Sequence, residues 1–208
     1  MSEKIILFGG TFDPVHTGHI VVAEAAAEKI GASMVSLIPA RRSPHKEQKP
    51  AAPDNDRIAM LKLAVAGKSL FQISPVELNR AEPSYTIDTI RYFRRRLGPD
   101  CRLYWLIGAD MLKDLPKWYK INELLNECNI SVMYRGGFGR PDFDTLAGKL
   151  NAENIEKLRQ NMIETPLIEI SSTDIRQKIS QNQDVSKFLH PDVLDYIKTH
   201  RLYLPSDQ

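Results

Sequence analysis

Residues 9–19 read GGTFDPVHTGH and place His16 and His19 three residues apart, with Gly18 between them. Two imidazoles at this spacing, behind a Gly-Gly pair, suit either a metal ion or hydrogen bonds to phosphate. The metal interpretation is weaker, because zinc sites use about three or four ligands and no cysteine or H-x-x-x-H pair lies nearby. A purely structural role for both histidines is a third interpretation.

The stretch ISSTDIR at 170–176 favours a phosphate ligand as well. Its hydroxyl-bearing residues and Asp174 suit a helix N-cap, and Asp174 and Gln177 have the spacing of a capping box. Free N–H groups at a helix start, hydroxyls and the guanidinium of Arg176 would together bind a polyphosphate. The alternative is a well-capped helix with a solvated arginine. Neither stretch has the Walker or the G-x-G-x-x-G pattern, so those phosphate-binding mechanisms are not supported.

Short apolar runs alternate with segments of helical periodicity along the chain. The run at 4–8 ends at Gly-Gly and precedes a helix that stops at Gly31, and Asp54 is expected to cap the next helix. Further strands are predicted at 34–40, 71–78, 102–110, 130–135 and 167–170, and a polar helix at 152–162. Near-continuous apolar strands, each followed by a helix, imply a parallel sheet covered on both faces.

We therefore predict a doubly wound, Rossmann-like α/β fold with helices on both faces and a C-terminal helical segment, forming one domain over residues 1–208. Ligands of such sheets bind outside the carboxyl ends of the strands, which is where residues 9–19 lie. His16 would precede the first helix, and His19 would lie in its first turn. Gly9 and Gly10 would let the backbone pass close to a ligand.

Composition excludes several classes of partner. The 208 residues include 28 Lys and Arg against 26 Asp and Glu, and this net charge of +2 does not favour a nucleic acid or an acidic membrane. Cys101 and Cys128 lack C-x-x-C spacing and are expected to be buried thiols in a reducing compartment. No apolar run reaches the ~18 residues of a membrane span. We expect a soluble cytoplasmic protein; homo-oligomerisation stays possible.

GGTFDPVHTGH together with ISSTDIR resembles the nucleotidyltransferase superfamily with the H-x-G-H signature. Members join a nucleoside triphosphate to a second phosphate or carboxylate with loss of pyrophosphate. PHK (44–46), EPSYTIDTI (82–90), IGADML (107–112), Trp118 and Arg135 resemble the bacterial nicotinate-nucleotide adenylyltransferases, which make deamido-NAD from ATP and nicotinate mononucleotide. The similarity runs in order from residue 4 to about 203, although 136–165 matches no motif.

The resemblance implies a role for each matching residue. The catalytic residues would be His16, His19, Lys46 and Arg176. ATP would contact Gly9, Gly10, Thr11, Phe12, His16, His19, Gly108, Asp110, Arg135, Ser171, Ser172, Thr173 and Arg176. Nicotinate mononucleotide would contact Lys46, Thr86, Trp118 and Tyr119, with the indole on the pyridine ring and backbone groups of Thr86 and Tyr119 on the carboxylate. Mg²⁺ is the implied cofactor, bound through substrate oxygens and water without assigned protein ligands.

Other functions remain as alternatives. Phosphopantetheine adenylyltransferases are shorter and lack SYTIDT and GADML, and cytidylyltransferases have another motif in place of ISSTDIR. HTGH also resembles the H-I-G-H of class I aminoacyl-tRNA synthetases, with RYFRRR (91–96) as an RNA-binding stretch, but no K-M-S-K-S-like loop is present. A non-catalytic nucleotide sensor on the same fold is the remaining alternative.

Overall fold

A computed structural model describes residues 2–41, 49–135, 141–166 and 170–204. Within these ranges, parallel strands form a six-stranded sheet in the order β3-β2-β1-β4-β5-β6. The strands are β1 (Lys4–Gly10), β2 (Met34–Pro39), β3 (Phe71–Ile73), β4 (Arg102–Gly108), β5 (Asn129–Arg135) and β6 (Met162–Thr165). The α-helices are α1 (Thr17–Ile30), α2 (Asp54–Ala64), α3 (Thr86–Leu97), α4 (Ile121–Glu127), α5 (Ala152–Gln160), α6 (Ser172–Ser180) and α7 (Pro191–Thr199).

Strand β1 explains why the sheet carries helices on both faces. Ile6 and Phe8 join the hydrophobic cluster on one face, and Ile5 and Leu7 join the cluster on the other. Because successive strand residues point to opposite faces, a continuous apolar run must be buried twice. Buried side chains of α1, α2, α6 and α7 cover the first face, and those of α3, α4 and α5 cover the second. The predicted doubly wound fold is confirmed.

The ends of α1 are as predicted. His16 is the N-cap residue and His19 lies in the first turn. Gly31 ends the helix with φ 70°, a left-handed conformation that glycine adopts without a Cβ penalty.

Ser171, one of the predicted N-cap residues, is the N-cap of α6, but the predicted cap Asp54 and the predicted capping box of α6 are wrong. Pro53 is the N-cap of α2, and Asp54 is its first residue, with its carboxylate on the guanidinium of Arg57 instead of on the backbone. The capping box of α6 joins Ser171 to Asp174, not Asp174 to Gln177, because the helix begins one turn earlier than that spacing assumes.

The last strand was also misplaced. The predicted strand 167–170 falls mostly outside the described residues, and Ile170 is not in a strand. The sixth strand is instead β6, which pairs with β5 from Val132↔Met162 to Arg135↔Thr165. β6 alternates buried and exposed residues over only 4 positions, too short a pattern to separate from the end of the preceding helix. α5 therefore stops at Gln160, and β3 covers 71–73 rather than 71–78.

The strand order reverses between β1 and β4, which both lie at the centre of the sheet. Ligands of open α/β sheets bind in the crevice that forms at this point. No helix in the described ranges has the length and apolar character that a bilayer crossing requires.

Candidate active site

Two cavities that share Thr11 open beside the carboxyl ends of β1 and β4. The first, of about 680 Å³, is called the polar cavity; it is lined by Thr11, Phe12, Asp13, His16, His19, Lys49, Pro50, Asp110, Ser171, Ser172, Thr173 and Arg176. The second, of about 280 Å³, is called the aromatic cavity; it is lined by Phe8, Gly9, Gly10, Thr11, Ala40, Glu77, Ser84, Thr86, Trp105, Leu106, Ile107, Gly108, Met111 and Trp118.

Two aromatic rings pack at the end of β1, where Gly9 and Gly10 lack a Cβ atom. Phe12 has φ 48° and is 1% exposed. A Cβ on Gly10 would come within 2.9 Å of the Phe12 ring, and one on Gly9 within 2.5 Å of the Trp105 ring. The missing Cβ atoms therefore make room for these two rings, and both glycines also line the aromatic cavity. The close approach of a ligand to this backbone stays a prediction.

His16 and His19 lie side by side at the start of α1. Their ring centroids are 3.8 Å apart, and the backbone N–H of His16 donates to Nδ1 of His19 at 3.2 Å. The Phe12 ring meets His19 edge-on, with centroids 5.0 Å apart. Packing and capping together fix the orientation of both imidazoles in the polar cavity.

His16 is neutral at pH 7. Its side chain is buried, and this burial lowers its pKa from 6.5 to about 4. Its Nδ1 has no hydrogen-bond partner among the residues that the structure describes. A buried polar nitrogen without a partner is costly, so the lining of the polar cavity holds an unused hydrogen-bonding group.

The start of α6 is hydrogen-bonded to the loop at residues 11–16, between β1 and α1, which we call the histidine loop. Ser172 Oγ donates to the carbonyl of Pro14 at 2.9 Å, and Arg176 Nη1 donates to the carbonyl of Asp13 at 2.6 Å. Arg176 Nη2 also donates to Thr173 Oγ1 at 3.3 Å. These contacts bring the two motifs together across 158 and 163 residues of sequence. A guanidinium and the N–H groups of a helix start thus border the cavity that holds both imidazoles.

Arg57 supports the same loop from inside. It is fully buried, its Nη1 donates to the carbonyl of Thr11 at 2.7 Å, and its Nη2 donates to Asp54 at 2.6 Å. A planar guanidinium can satisfy both acceptors at once. No pattern in the sequence indicated this contact, since Arg57 reads only as an arginine within a helix.

The aromatic cavity brings together residues of β1, β4 and the start of α3. Thr86, the first residue of α3, and Trp118, which follows a 3₁₀ turn at Leu115–Lys117, both line it. Glu77 lines it too, and Thr89 Oγ1 donates to its carboxylate at 2.7 Å. Burial raises the pKa of Glu77. The cavity therefore combines an indole face with a helix N-terminus and one buried carboxyl group.

Most predicted site residues line one of these cavities. The predicted ATP residues Gly9, Gly10 and Gly108 line the aromatic cavity rather than the polar one. Tyr119 lines neither; its exposed ring stacks on Tyr85 with centroids 4.3 Å apart. Arg135 is the last residue of β5, and Lys46 lies outside the described residues.

Several lining residues were not predicted from the sequence. Lys49 and Pro50 reach the polar cavity from the segment before α2, and Asp13 reaches it from within the signature. The sequence could have indicated Asp13, because this acidic residue stands three residues before His16 in the same motif. No comparable pattern surrounds Glu77. No group of three or more His, Cys, Asp or Glu side chains that could hold a metal occurs in the described part of the chain.

Comparisons with known proteins agree with this architecture. A profile of the family described as Cytidylyltransferase-like matches residues 7–178. A protein of Dehalococcoides mccartyi named "Probable nicotinate-nucleotide adenylyltransferase" is 35% identical over 205 residues, covering 98% of each chain. A protein of the same name from Cronobacter sakazakii is 38% identical over 210 residues, covering 96% of this chain and 95% of that one.

The fold also matches a solved structure of Plasmodium falciparum nicotinic acid mononucleotide adenylyltransferase complexed with NaAD. The TM-score is 0.71 at 20% identity, with 97% of each chain covered, and this likeness bears on the fold alone. Because the profile spans most of the chain and the curated relatives match nearly all of it, the chain belongs to the cytidylyltransferase-like family, within the group of nicotinate-nucleotide adenylyltransferases.

Proposed function

We propose that this chain transfers the adenylyl group of ATP to nicotinate mononucleotide, giving deamido-NAD and pyrophosphate. The observation that carries the proposal is the pair of cavities that share Thr11. One is lined by histidines, hydroxyls and an arginine, and the other by indole rings and a helix start. An enzyme that joins two nucleotides needs a phosphate site and a ring site that open onto each other.

The polar cavity would take the triphosphate of ATP. The hydroxyls of Ser171 and Thr173 and the N-terminus of α6 suit the β- and γ-phosphates. His16, His19 and Arg176 would contact the phosphate oxygens that gain charge during transfer. Asp110, which is exposed at the end of β4, would accept hydrogen bonds from the ribose. Lys46 keeps its proposed catalytic role on the resemblance of PHK to the family. Arg135 keeps its proposed contact with ATP on the resemblance at its own position.

The aromatic cavity would take the pyridine nucleotide. The Trp118 ring offers a face for stacking on a pyridine. Helix α3 begins at Thr86, and N–H groups in the first turn of a helix favour a carboxylate. An amide at the same place would set its own NH₂ against those donors, so the acid is the preferred substrate. The proposed role of Tyr119 is confined to its backbone N–H, since its ring lies outside the cavity.

The chemistry requires no general base. A phosphate oxygen of nicotinate mononucleotide is already anionic and attacks the α-phosphorus of ATP in line, while the bond to the β-phosphate oxygen breaks. Pyrophosphate leaves, and no proton has to be removed from the nucleophile. The protein aligns two anions that repel each other and stabilises the charge between them.

Mg²⁺ is the proposed metal, and the donor set fits a cation that arrives with ATP. The carboxylate of Asp13 is already occupied by two backbone N–H groups and a tyrosine hydroxyl. Asp110 and the hydroxyls remain as oxygen groups of the polar cavity. Mg²⁺ bound through phosphate oxygens and water needs no more than this. When bound, it would neutralise charge on the triphosphate.

We also propose that residues 1–208 act as one domain in the cytoplasm. Contacts that shape the polar cavity come from the first strand–helix loop and from residues near the end of the described chain. Cys101 and Cys128 are free and buried, which suits a reducing compartment.

The proposal is tested by pyrophosphate release from Mg-ATP with nicotinate mononucleotide, nicotinamide mononucleotide or phosphopantetheine supplied separately. Release mainly with the nicotinate compound is expected. Faster release with phosphopantetheine would favour that adenylyltransferase instead. ATP binding without release from any acceptor would favour a nucleotide sensor and overturn the proposed reaction.

A further inference from the structure

The segment after α7 turns back and brings Tyr203 against Asp13, which lines the polar cavity. The backbone N–H of Leu202 donates to the carbonyl of Ile197 at 3.0 Å, so the chain turns back on the helix. Leu202 and Tyr203 pack against the hydrophobic cluster of that face. Tyr203 has φ 63°, and its hydroxyl donates to Asp13 Oδ1 at 2.8 Å across 190 residues of sequence.

Asp13 connects this hydroxyl to three other parts of the site. Its carboxylate accepts the backbone N–H groups of Ala51 at 2.7 Å and Ala52 at 3.1 Å. Its own carbonyl accepts Arg176 Nη1 at 2.6 Å. One residue thus joins the histidine loop, the segment that leads into α2, and the arginine of α6.

The hydroxyl also affects how much positive charge Arg176 offers to a phosphate. The Asp13 carboxylate is 3.8 Å from the Arg176 guanidinium and 2% exposed. Each hydrogen bond donated to the Asp13 carboxylate partly neutralises its negative charge and so weakens its attraction for the Arg176 guanidinium. Burial and the neighbouring Asp13 charge raise the pKa of Tyr203, so its hydroxyl stays a donor throughout the neutral range. Without that hydroxyl, the two backbone N–H groups are the remaining hydrogen-bond donors to the carboxylate among the described residues.

We propose that Tyr203 is a positioning residue for ATP: through Asp13 it sets the place of Arg176 and of the segment at 51–52 against the triphosphate. The inference rests on the proposed function in assigning the polar cavity to ATP. In this proposal, the residues after α7 contribute to the phosphate site through the hydrogen bond of Tyr203 to Asp13.

The chain contains a matched control. Tyr196, on α7, donates its hydroxyl to Asp56 Oδ1 at 2.8 Å. This is also a tyrosine–aspartate bond between the C-terminal region and the α2 region, but neither residue lines either cavity. Tyr196→Phe and Tyr203→Phe therefore remove the same chemical contact, once away from the site and once beside it.

The experiment compares both variants with the wild type by steady-state kinetics and by calorimetric titration with Mg-ATP. Tyr203→Phe should lower kcat/KM for ATP by about tenfold, the size expected for one hydrogen bond to a charged group. It should change KM for nicotinate mononucleotide less than twofold, and weaken ATP binding in the titration. Both variants should lower Tm by a similar amount, because each loses one tyrosine–aspartate hydrogen bond. Tyr196→Phe should leave kcat/KM for ATP and the ATP affinity unchanged.

A double variant tests the route through Asp13. In an Asp13→Ala background, Tyr203→Phe should add less than twofold, because the acceptor of the hydroxyl is already gone. Equal ATP affinity and kinetics in Tyr203→Phe and Tyr196→Phe would overturn the proposal, and so would equal losses for both substrates.

The titration separates this proposal from the proposed function. A wild type that binds ATP without transferring its adenylyl group would contradict the reaction, while the ATP affinities of the two variants would still decide the role of Tyr203. A wild type that does not bind ATP would overturn both.

Discussion

The backbone N–H of His16 donates to Nδ1 of His19 at 3.2 Å, so Nε2 is the nitrogen of His19 that carries the proton. The neighbouring ring of His16 is held neutral by burial. Before substrate binds, the two imidazoles are therefore hydrogen-bonding groups rather than two fixed cations. Fixed positive charge in the polar cavity comes from Arg176 and Lys49, helped by the N-termini of α1 and α6.

Loss of the His19 imidazole should stop catalysis without unfolding the protein. His19→Asn should lower kcat by about 10²–10³-fold, the range seen when one preorganised donor to a developing charge is removed. The asparagine carbonyl can still accept the His16 N–H, so Tm should change little. Pyrophosphate release under saturating ATP measures kcat. His200→Ala, which removes an exposed ring stacked on Tyr196, should keep normal turnover; near-normal turnover in His19→Asn would remove His19 from the mechanism.

Stability should depend on pH through His16. Its folded pKa of about 4 lies below the unfolded value of 6.5, so the unfolded chain binds the proton first as pH falls. The stabilising contribution is therefore complete above pH 6.5 and is lost as pH falls towards 4, a change of about 3 kcal/mol from a 2.5-unit difference. Urea unfolding of the wild type and of His16→Asn from pH 7 to pH 4 measures this difference. Parallel stability curves for the two proteins would contradict the neutral, buried state of His16.

Local sequence patterns predicted most of the fold. They could not predict the contacts between residues that are far apart in the sequence. The apolar run before Gly9 and the glycine at position 31 were enough to predict β1 and α1, because each is decided by neighbouring residues. β6 was missed because its formation depends on pairing with β5 more than on its own 4 residues. The hydrogen bond of Tyr203 to Asp13 spans 190 residues and has no periodic signal.

The candidate site divides in the same way. The sequence predicted His16, His19 and Arg176, because each lies in a short motif and near a helix start that local residues indicate. Glu77 was not, because only the packing of α3 on the sheet brings it into the aromatic cavity. Gly9 and Gly10 end β1, and their missing Cβ atoms make room for the rings of Trp105 and Phe12. No local pattern in the sequence indicated this packing.

Arg57 should stabilise the fold through the geometry of its guanidinium and not through its positive charge alone. Arg57→Lys keeps the charge, but an ammonium cannot reach the Thr11 carbonyl and Asp54 with the same paired geometry. Leaving a buried acceptor unsatisfied costs about 1–3 kcal/mol, so the free energy of unfolding should fall by roughly that amount. Denaturant unfolding measures it. Arg91→Lys, at a more exposed arginine paired with Glu123 and Glu127, should lose clearly less; equal losses would show that burial of Arg57 does not matter.

Trp118 should serve the pyridine nucleotide and not ATP. Trp118→Ala removes the stacking face from the aromatic cavity, and a stacked ring is worth about 1–3 kcal/mol, so KM for nicotinate mononucleotide should rise by roughly 10-fold to 100-fold. KM for ATP should change less than threefold, since the polar cavity has no contribution from this residue. Tyr92→Ala is the control: this aromatic ring packs on Phe93 of α3 and lines neither cavity, so both KM values should stay near those of the wild type. Steady-state kinetics with each substrate varied in turn decide the point, because equal increases for both substrates in Trp118→Ala would place the indole outside the pyridine site.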